Sequence, residues 1–301
     1  MTSASKHLLY ILILTLFPFY CASQVASRFS TTFPFQLGKG IVVEMFINNS
    51  QAPYKFILDN NAPFIIYAQG KISDQIQLRS ITSIKFPLRT PVGTVKQEIF
   101  ETTDSFRLGN LFFKERFIHL VHGPKPEYFG DTISGLLGSS LFSSNAWRID
   151  FEKFRITWAS EAKPLKEVDG LVKIEASFIM KSGRKEVRIP IKIGGQKPVT
   201  CLLDLGYGGK IILPYKQFSK VAEAYPIVQR RDTISSLAGA KATEYVATEP
   251  LAVKVGGFET KSEIISTRDL ALKTGVVGLS FLSQFRYLLI DYTKEEVFLV
   301  E

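Results

Sequence analysis

The sequence predicts an all-β protein made of two homologous lobes in one chain, with a cleft between the lobes. Two observations predict this fold class. Short apolar segments alternate with turn-forming residues through most of the 301 residues, which is typical of β-barrels. One stretch also occurs twice, and its surroundings repeat in the same order. With 46% hydrophobic residues, the chain can build two cores.

Residues 1–23 have the pattern of a secretory signal peptide. A weakly basic start is followed by an apolar core at residues 8–17 and by small residues before Gln24. We therefore expect an exported protein, periplasmic or secreted. Lipoprotein anchoring at Cys21 is the alternative, and the bulky Tyr20 before that cysteine argues against it. The apolar run is short for a bilayer, so no stable membrane span is expected.

Charge and cysteine content argue against two further classes of function. The net charge of +9 is scattered, and its densest clusters, residues 181–185 and 230–231, lack the interleaved aromatic residues of a nucleic-acid binder. We expect these clusters to form solvated surface. Once residues 1–23 leave, Cys201 is the only thiol, so no intramolecular disulfide is possible. Its apolar neighbours predict a buried core residue rather than a nucleophile.

The first half begins with a lead-in or edge strand at residues 25–39. A strand at residues 41–47 and a turn at 48–53 precede the strand at 54–58, which ends at Asp59. Short alternating segments, separated by turn residues, then predict further strands at residues 81–86, 95–100, 106–108 and 112–121. This half closes with a Gly-x-x-Gly stretch at residues 134–142 and a strand pair at 147–151 and 154–158.

The second half repeats this order. A strand at residues 187–193 and a turn at 194–198 precede the strand at 199–203, which ends at Asp204. A second Gly-x-x-Gly stretch lies at residues 274–282. Two closing strands are predicted at residues 287–292 and 296–300.

Spacing indicates that the two halves are an internal duplication. Asp59 and Asp204 lie 145 positions apart, and each precedes the first glycine of its Gly-x-x-Gly by 76 or 71 residues. A later aspartate, Asp150 or Asp291, follows the second glycine by 12 or 13 residues. Four landmarks in one order predict an N-terminal lobe at 24–158, a charged linker at 159–170 and a C-terminal lobe at 171–301.

These residues resemble the aspartic peptidases, both the two-lobed pepsin-like kind and the retropepsin-like kind. In those families each lobe carries two apolar residues, then Asp-Thr/Ser-Gly, and later an apolar-apolar-Gly segment that crosses behind the Asp loop. Here Ile57-Leu58-Asp59-Asn60-Asn61 and Leu202-Leu203-Asp204-Leu205-Gly206 correspond to the first motif. The segments ending at Gly138 and Gly278 correspond to the second. The resemblance implies two acid-protease-like β-barrel lobes, and a monomer, because one chain supplies both halves.

The resemblance also implies a catalytic pair, Asp59 and Asp204, that activates water to hydrolyse a peptide held in the cleft. One carboxylate takes a proton from water while the other protonates the scissile carbonyl. Two carboxyls about 3 Å apart share a proton, and their pKa values separate by about 3 units. No cofactor is implied, and the partner would be a peptide or protein substrate. The alternative is that both aspartates only cap turns.

The two Asp loops depart from the family pattern. The residue after each aspartate should be Thr or Ser, whose hydroxyl bonds the opposite lobe. Here it is Asn60, which can donate and accept, or Leu205, whose side chain can do neither. Asn61 stands where glycine is expected, and asparagine tolerates left-handed backbone angles. Gly206 keeps the pattern. A pseudoprotease that binds peptides or proteins without cutting them is therefore the second hypothesis.

Other motifs give weaker predictions. The family covers its cleft with a hairpin flap, and Val92 with Gly93, matched by Ala238 with Gly239, are the candidates; ordinary hairpin turns explain them equally well. The absence of tyrosine between residues 67 and 128 favours the retropepsin-like side. His119 and His122 would face opposite sides of a strand, so no metal site is expected.

Overall fold

The computed structural model describes residues 29–68, 72, 76–80, 86–90, 93–115, 117–122, 133–181, 183–223, 225–235, 241–268 and 272–301. The expected signal peptide at residues 1–23, with Cys21, lies outside these residues. Within the described part, no helix is long and apolar enough to cross a membrane.

The first half of the described chain is folded almost entirely into strands. They are β1 (Ser30–Pro34), β2 (Gln36–Leu37), β3 (Ile41–Ile47), β4 (Tyr54–Leu58), β5 (Ile65–Tyr67), β6 (Leu78–Ser80), β7 (Phe86–Thr90), β8 (Gly93–Thr102), β9 (Ser105–Leu108), β10 (Leu111–Lys114), β11 (Phe117–His122), β12 (Ile133–Leu137), β13 (Ala146–Asp150) and β14 (Arg155–Ala159).

The second half adds two short helices. Its strands are β15 (Val172–Ile174), β16 (Ser177–Lys181), β17 (Arg184–Ile193), β18 (Val199–Leu203), β19 (Ile211–Pro214), β20 (Ile227–Ser235), β21 (Lys241–Ala247), β22 (Leu251–Val255), β23 (Phe258–Ser262), β24 (Ile264–Thr267), β25 (Gly275–Val277), β26 (Tyr287–Asp291) and β27 (Glu296–Val300). The helices are α1 (Tyr215–Val221) and α2 (Leu279–Leu282). The fold is therefore mostly β, as the sequence predicts.

Alternating apolar residues explain the long strand of each lobe. In β3 every second side chain points into the core, and the same holds for the second part of β17. A strand places successive side chains on opposite faces, so this pattern buries one face against the core. The buried side chains are Ile41, Val43, Met45 and Ile47 in the first lobe and Val187, Ile189, Ile191 and Ile193 in the second.

The two lobes share one strand order. Eight strands of the N-terminal sheet follow the order β10-β9-β3-β4-β12-β5-β11-β8, and the C-terminal sheet follows β23-β22-β17-β18-β25-β19-β24-β21. In both, one strand inserts between the two strands that flank the Asp loop. It runs parallel to the first of them and antiparallel to the second. The matching order confirms the duplication inferred from spacing.

A third sheet joins the halves. Its six strands follow the order β1-β14-β13-β26-β27-β15, with β13 from the first half paired antiparallel to β26 from the second. The later aspartates end these two strands, and each caps a turn. Asp150 accepts hydrogen bonds from the N–H groups of Glu152 and Lys153, and Asp291 accepts equivalent bonds two and three residues on.

Two segments differ in detail from the sequence-based expectation. The alternating stretch at residues 112–121 is not one strand: it is divided between β10, which ends at Lys114, and β11, which begins at Phe117. Residues 159–170, expected to be a linker, include a short 3₁₀ turn at Lys163–Leu165. Its Leu165 packs with Leu289 beside the third sheet, so this segment is anchored by apolar contacts.

Candidate active site

Both Asp loops leave the ends of strands that are paired along their whole length. β4 lies beside β12 and β18 lies beside β25, so each loop starts from a fixed position. The pairing continues into the loops. The backbone N–H of Asp59 donates to the carbonyl of Leu137 at 2.9 Å, and that of Asp204 donates to the carbonyl of Val277 at 3.0 Å. Equivalent bonds therefore place the two aspartates in equivalent positions.

Each aspartate uses one carboxylate oxygen to close its own turn. Oδ1 of Asp59 accepts hydrogen bonds from the N–H groups of Asn61 and Ala62, at 2.8 and 3.0 Å. Oδ1 of Asp204 accepts from the N–H groups of Gly206 and Tyr207, at 2.9 and 3.2 Å. Short polar side chains commonly stabilise turns in this way. Turn capping accounts for these oxygens and leaves Oδ2 of each carboxyl for another role.

Gly138 and Gly278 lie directly behind the Asp loops. A β-carbon at Gly138 would come within 2.2 Å of the Pro63 carbonyl carbon, and one at Gly278 within 2.4 Å of the Gly209 carbonyl oxygen. A side chain at either position would therefore displace the Asp loop that lies against it. The adjoining backbone also holds the loops: Ser139 N–H donates to the Ala62 carbonyl at 2.7 Å, and Leu279 N–H to the Tyr207 carbonyl at 2.7 Å.

The carboxyl of Asp59 lies against the opposite loop at Gly206. A β-carbon at Gly206 would lie 2.3 Å from Cγ and Oδ2 of Asp59. Glycine is needed at position 206 because it leaves room for Asp59, and not because the backbone there has an unusual conformation. Among the described residues, positive φ at non-glycine positions is confined to Asn48, Phe154 and Glu295. Asn61 therefore does not use the left-handed backbone that asparagine tolerates.

Asn60 connects the two lobes beside the Asp loops. Its side-chain Nδ2 donates to the carbonyl of Leu203 at 3.1 Å, and its Oδ1 accepts from the N–H of Leu205 at 2.9 Å. Asn60 is fully buried, as is the side chain of Leu205. A second donor contact, at 3.4 Å, reaches the hydroxyl of Tyr292. Asn60 therefore supplies the interlobe hydrogen bonds that Leu205 cannot make with its side chain.

Asn61 adds a side chain where the family pattern has none. Its Nδ2 donates to the Leu203 carbonyl at 2.9 Å. Its side chain also hydrogen-bonds the carboxyl of Asp204 and lowers the pKa of that group. The buried Oδ1 of Asn61 has no hydrogen-bond partner. An unpaired buried acceptor is costly, and its position beside the carboxyls would suit a water molecule or a carboxyl proton as donor.

The surroundings raise the pKa of both aspartates. Burial of the carboxyl raises the pKa of Asp59, and hydrogen bonds from Asn61 and Ala62, with the charge of Arg184, oppose the rise. Burial and then the charge of Asp59 raise the pKa of Asp204 to about 7. Like charges that face each other cannot easily both ionise. The pair can therefore hold a single proton up to near-neutral pH.

Sequence reasoning missed Arg184 as part of this site. Its cluster at residues 181–185 was expected to be solvated surface, which is wrong for Arg184, because its Nη1 donates to the backbone carbonyl of Asn61 in the other lobe. Its side chain is half-buried. The only sequence signal for this contact is position: the hairpin that carries Arg184 leads into the strand before Asp204.

The other predicted positions are more peripheral. Gly93 begins β8 and faces Thr90 across the β7–β8 hairpin, whereas Val92, Ala238 and Gly239 lie outside the described residues. Nδ1 of His119 lies 2.8 Å from Oε1 of Gln97, and His122 contacts Glu98. Within the described part of the chain, no three metal-ligating side chains cluster. Cys201 is fully buried, which agrees with the predicted core position.

Comparison with known proteins finds a match in structure alone. No family model matches the chain, and no curated protein sequence matches it. The crystal structure of an aspartic proteinase from Irpex lacteus matches with a TM-score of 0.59, over 90% of this chain and 97% of that chain. The two sequences are 14% identical. The similarity shows that the chain has the two-lobed fold of an aspartic proteinase.

Proposed function

We propose that this chain, which has the fold of an aspartic proteinase, is an exported endopeptidase of the aspartic type. The substrate is a peptide or protein segment bound in the cleft between the lobes. The observation that carries the proposal is the meeting of Asp59 and Asp204, each from an equivalent loop, with the charge of one raising the pKa of the other. A single chain supplies both carboxyls, so the active form is a monomer.

In the proposed reaction the two carboxyls have separate roles. Asp59, as carboxylate, takes a proton from a water molecule, and the water oxygen attacks the scissile carbonyl carbon. Asp204, whose pKa is raised to about 7, gives its proton to the carbonyl oxygen. Asp59 then gives the proton that it took from water to the amide nitrogen, Asp204 takes back a proton from a hydroxyl of the diol, and the diol collapses to a carboxylic acid as the C–N bond breaks. Each step needs only water and the two carboxyls.

Peptide cleavage from acid to neutral pH tests this proposal. A mixture of unstructured peptides is incubated with wild type and with Asp204→Asn, and new peptide ends are identified by mass spectrometry. Asp169→Asn is the matched control, because it removes an exposed carboxylate in residues 159–170, the segment that joins the two lobes. We expect cleavage by wild type and by Asp169→Asn and at least a 100-fold loss in Asp204→Asn. Equal cleavage by all three proteins would contradict the role of the pair.

A binding scaffold is the second candidate function. Asn61 supports it, because its amide hydrogen-bonds Asp204 where the family pattern leaves open space, and a misplacement of about 1 Å can cost about 100-fold in rate. In this case folded wild type binds peptides without cutting them. Asp204→Asn then binds with the same affinity as wild type, which a fluorescence-anisotropy titration with a labelled peptide measures.

Export is proposed from the pattern of residues 1–23. The mature protein would begin at Gln24 and carry no lipid. N-terminal sequencing of the protein recovered outside the producing cell, together with its intact mass, tests both statements. A chain that still begins at Met1, or a lipid-modified Cys21, would contradict them.

A further inference from the structure

Arg184 reaches the Asp59 loop from a short, well-defined hairpin. β16 and β17 pair antiparallel, with Lys181 opposite Arg184 at the end of the ladder. Gly183 closes the turn with φ of +76°, a conformation that favours glycine. From this position the guanidinium crosses to the N-terminal lobe and donates to the carbonyl of Asn61, two residues after Asp59.

The positive charge of Arg184 is not cancelled by a carboxylate partner, unlike that of its basic neighbours. Lys181 and Arg188 both pair with Glu186, at 3.0 and 2.8 Å, and Lys185 pairs with Glu295 at 3.1 Å. Arg184 forms no ion pair with any described residue. A carbonyl partner fixes the position of a guanidinium but leaves its net charge in place.

Several titratable groups lie around Arg184 and the two carboxyls. His119 of β11 feels the charge of Arg184, and burial together with that charge lowers the pKa of His119 to about 4. His119 is therefore neutral above that pH and adds no positive charge. Burial also raises the pKa of the Tyr292 hydroxyl, which stays neutral near Asp59. Among the described residues, Asp59, Asp204 and Tyr207 also titrate here, and the charges of Glu244 and Glu263 act on Tyr207. Lys39 lies on the opposite hairpin, and its carbonyl lies against Gly208.

Arg184 therefore acts on the two carboxyls unequally. Its guanidinium is bonded to the loop that carries Asp59, through the carbonyl of Asn61, and its charge lowers the pKa of Asp59. We propose that Arg184 is a positioning residue, which holds the shared negative charge of the pair on Asp59 and leaves the shared proton on Asp204. This proposal rests on the proposed peptidase function and explains how a pair in two equivalent loops takes unequal roles.

The pH dependence of kcat/KM tests the proposal with four proteins. Arg184→Gln removes the charge, Arg184→Lys keeps it, and Lys181→Gln removes a charge of the same hairpin that faces solvent. We expect the acid limb of the profile, which reports ionisation of Asp59, to move up by about 0.5–1 pH unit in Arg184→Gln. Below the limb, kcat/KM then falls about 3- to 10-fold. Lys181→Gln should match wild type, and Arg184→Lys should shift less than Arg184→Gln.

A carbon-13 NMR titration of the aspartate carboxyls tests the same role of Arg184 without a measurement of peptide cleavage. Asp59→Asn identifies the resonance, and its midpoint should rise in Arg184→Gln by the same amount as the acid limb. If wild type cuts no peptide, the proposed function fails while this titration still tests Arg184. An unmoved Asp59 midpoint overturns the role of Arg184, and so does an equal shift in Lys181→Gln or Arg184→Lys. Arg184→Met, a second neutral replacement, serves where Arg184→Gln does not fold.

Discussion

The side-chain amide of Asn60 binds the backbone on both sides of Asp204 in the opposite lobe: it accepts the N–H of Leu205 at 2.9 Å and donates to the carbonyl of Leu203 at 3.1 Å. The family pattern divides this work between two hydroxyls, one from each loop. Here one buried amide makes both bonds, and the fully buried Leu205 adds apolar packing instead. The side-chain hydrogen bonds between the two Asp loops therefore come from the loop of Asp59.

Asn60→Ala should weaken the association of the lobes. The change leaves the buried N–H of Leu205 without its partner, at about 1–3 kcal/mol, while the carbonyl of Leu203 keeps the hydrogen bond from Asn61. We expect the free energy of unfolding in urea to fall by about 1–3 kcal/mol. Asn60→Thr, whose hydroxyl can both donate and accept, should keep more than half of that energy. A loss below about 0.5 kcal/mol in Asn60→Ala would contradict the interlobe role.

Gly206→Ala should reduce peptide cleavage strongly, because its β-carbon would lie 2.3 Å from Cγ of Asp59. Either the carboxyl or the loop must move, and we expect at least a 100-fold loss of kcat/KM. Gly257→Ala is the matched control, since a β-carbon there meets nothing within 4 Å. Steady-state kinetics on one peptide compare the variants. Similar rates for Gly206→Ala and wild type would show that this close approach does not matter.

The contribution of Asp204 to the stability of the protein should fall as pH rises from about 4 to about 7, whereas that of His119, whose pKa is lowered to about 4, rises in the same range. Folding raises the pKa of Asp204 from 3.8 to about 7, so in this window the folded state keeps a proton that the unfolded state has lost. Its contribution is full below pH 4 and is lost as pH rises through 7. Urea unfolding at several pH values measures it. The stability of wild type relative to Asp204→Asn should fall over this range, and parallel profiles would contradict the raised pKa.

Cys201 should not react with thiol reagents while the protein is folded. Its side chain is fully buried, and burial raises the pKa of the thiol to about 12. A Cys21→Ser variant leaves Cys201 as the only thiol. We expect no labelling by a disulfide reagent at pH 8 in native buffer and one equivalent in urea. Rapid labelling of the native protein would place the thiol at the surface.

Much of the fold could be predicted from sequence because its signals are local. Alternation at residues 41–47 predicts β3 with the observed bounds, and the repeat predicts equivalent strands in the second half. Asp59 and Asp204 stand out because each carboxylate follows a strand of buried residues. The division between β10 and β11 was missed, because the charged residues 114–116 fit an exposed part of one strand as well as a break between two strands.

The remaining features of the site depend on contacts between distant residues. Arg184 lies 123 positions from Asn61, and its neighbouring lysines give the same local pattern without making this contact. The need for glycine at position 206 likewise comes from Asp59, not from the backbone of its own loop. Neither contact can be recognised from the composition of the surrounding sequence. Both require the lobes to be brought together first.

The sheet formed by β1, β14, β13, β26, β27 and β15 has a consequence for the integrity of the molecule. β13 and β26 exchange backbone hydrogen bonds over five residue pairs, from Ala146 with Asp291 to Asp150 with Tyr287. A cut within residues 159–170 would thus leave two fragments that still share a continuous ladder. Synthesised separately, the fragments would each present an open strand edge, and mixing them should restore a non-covalent heterodimer.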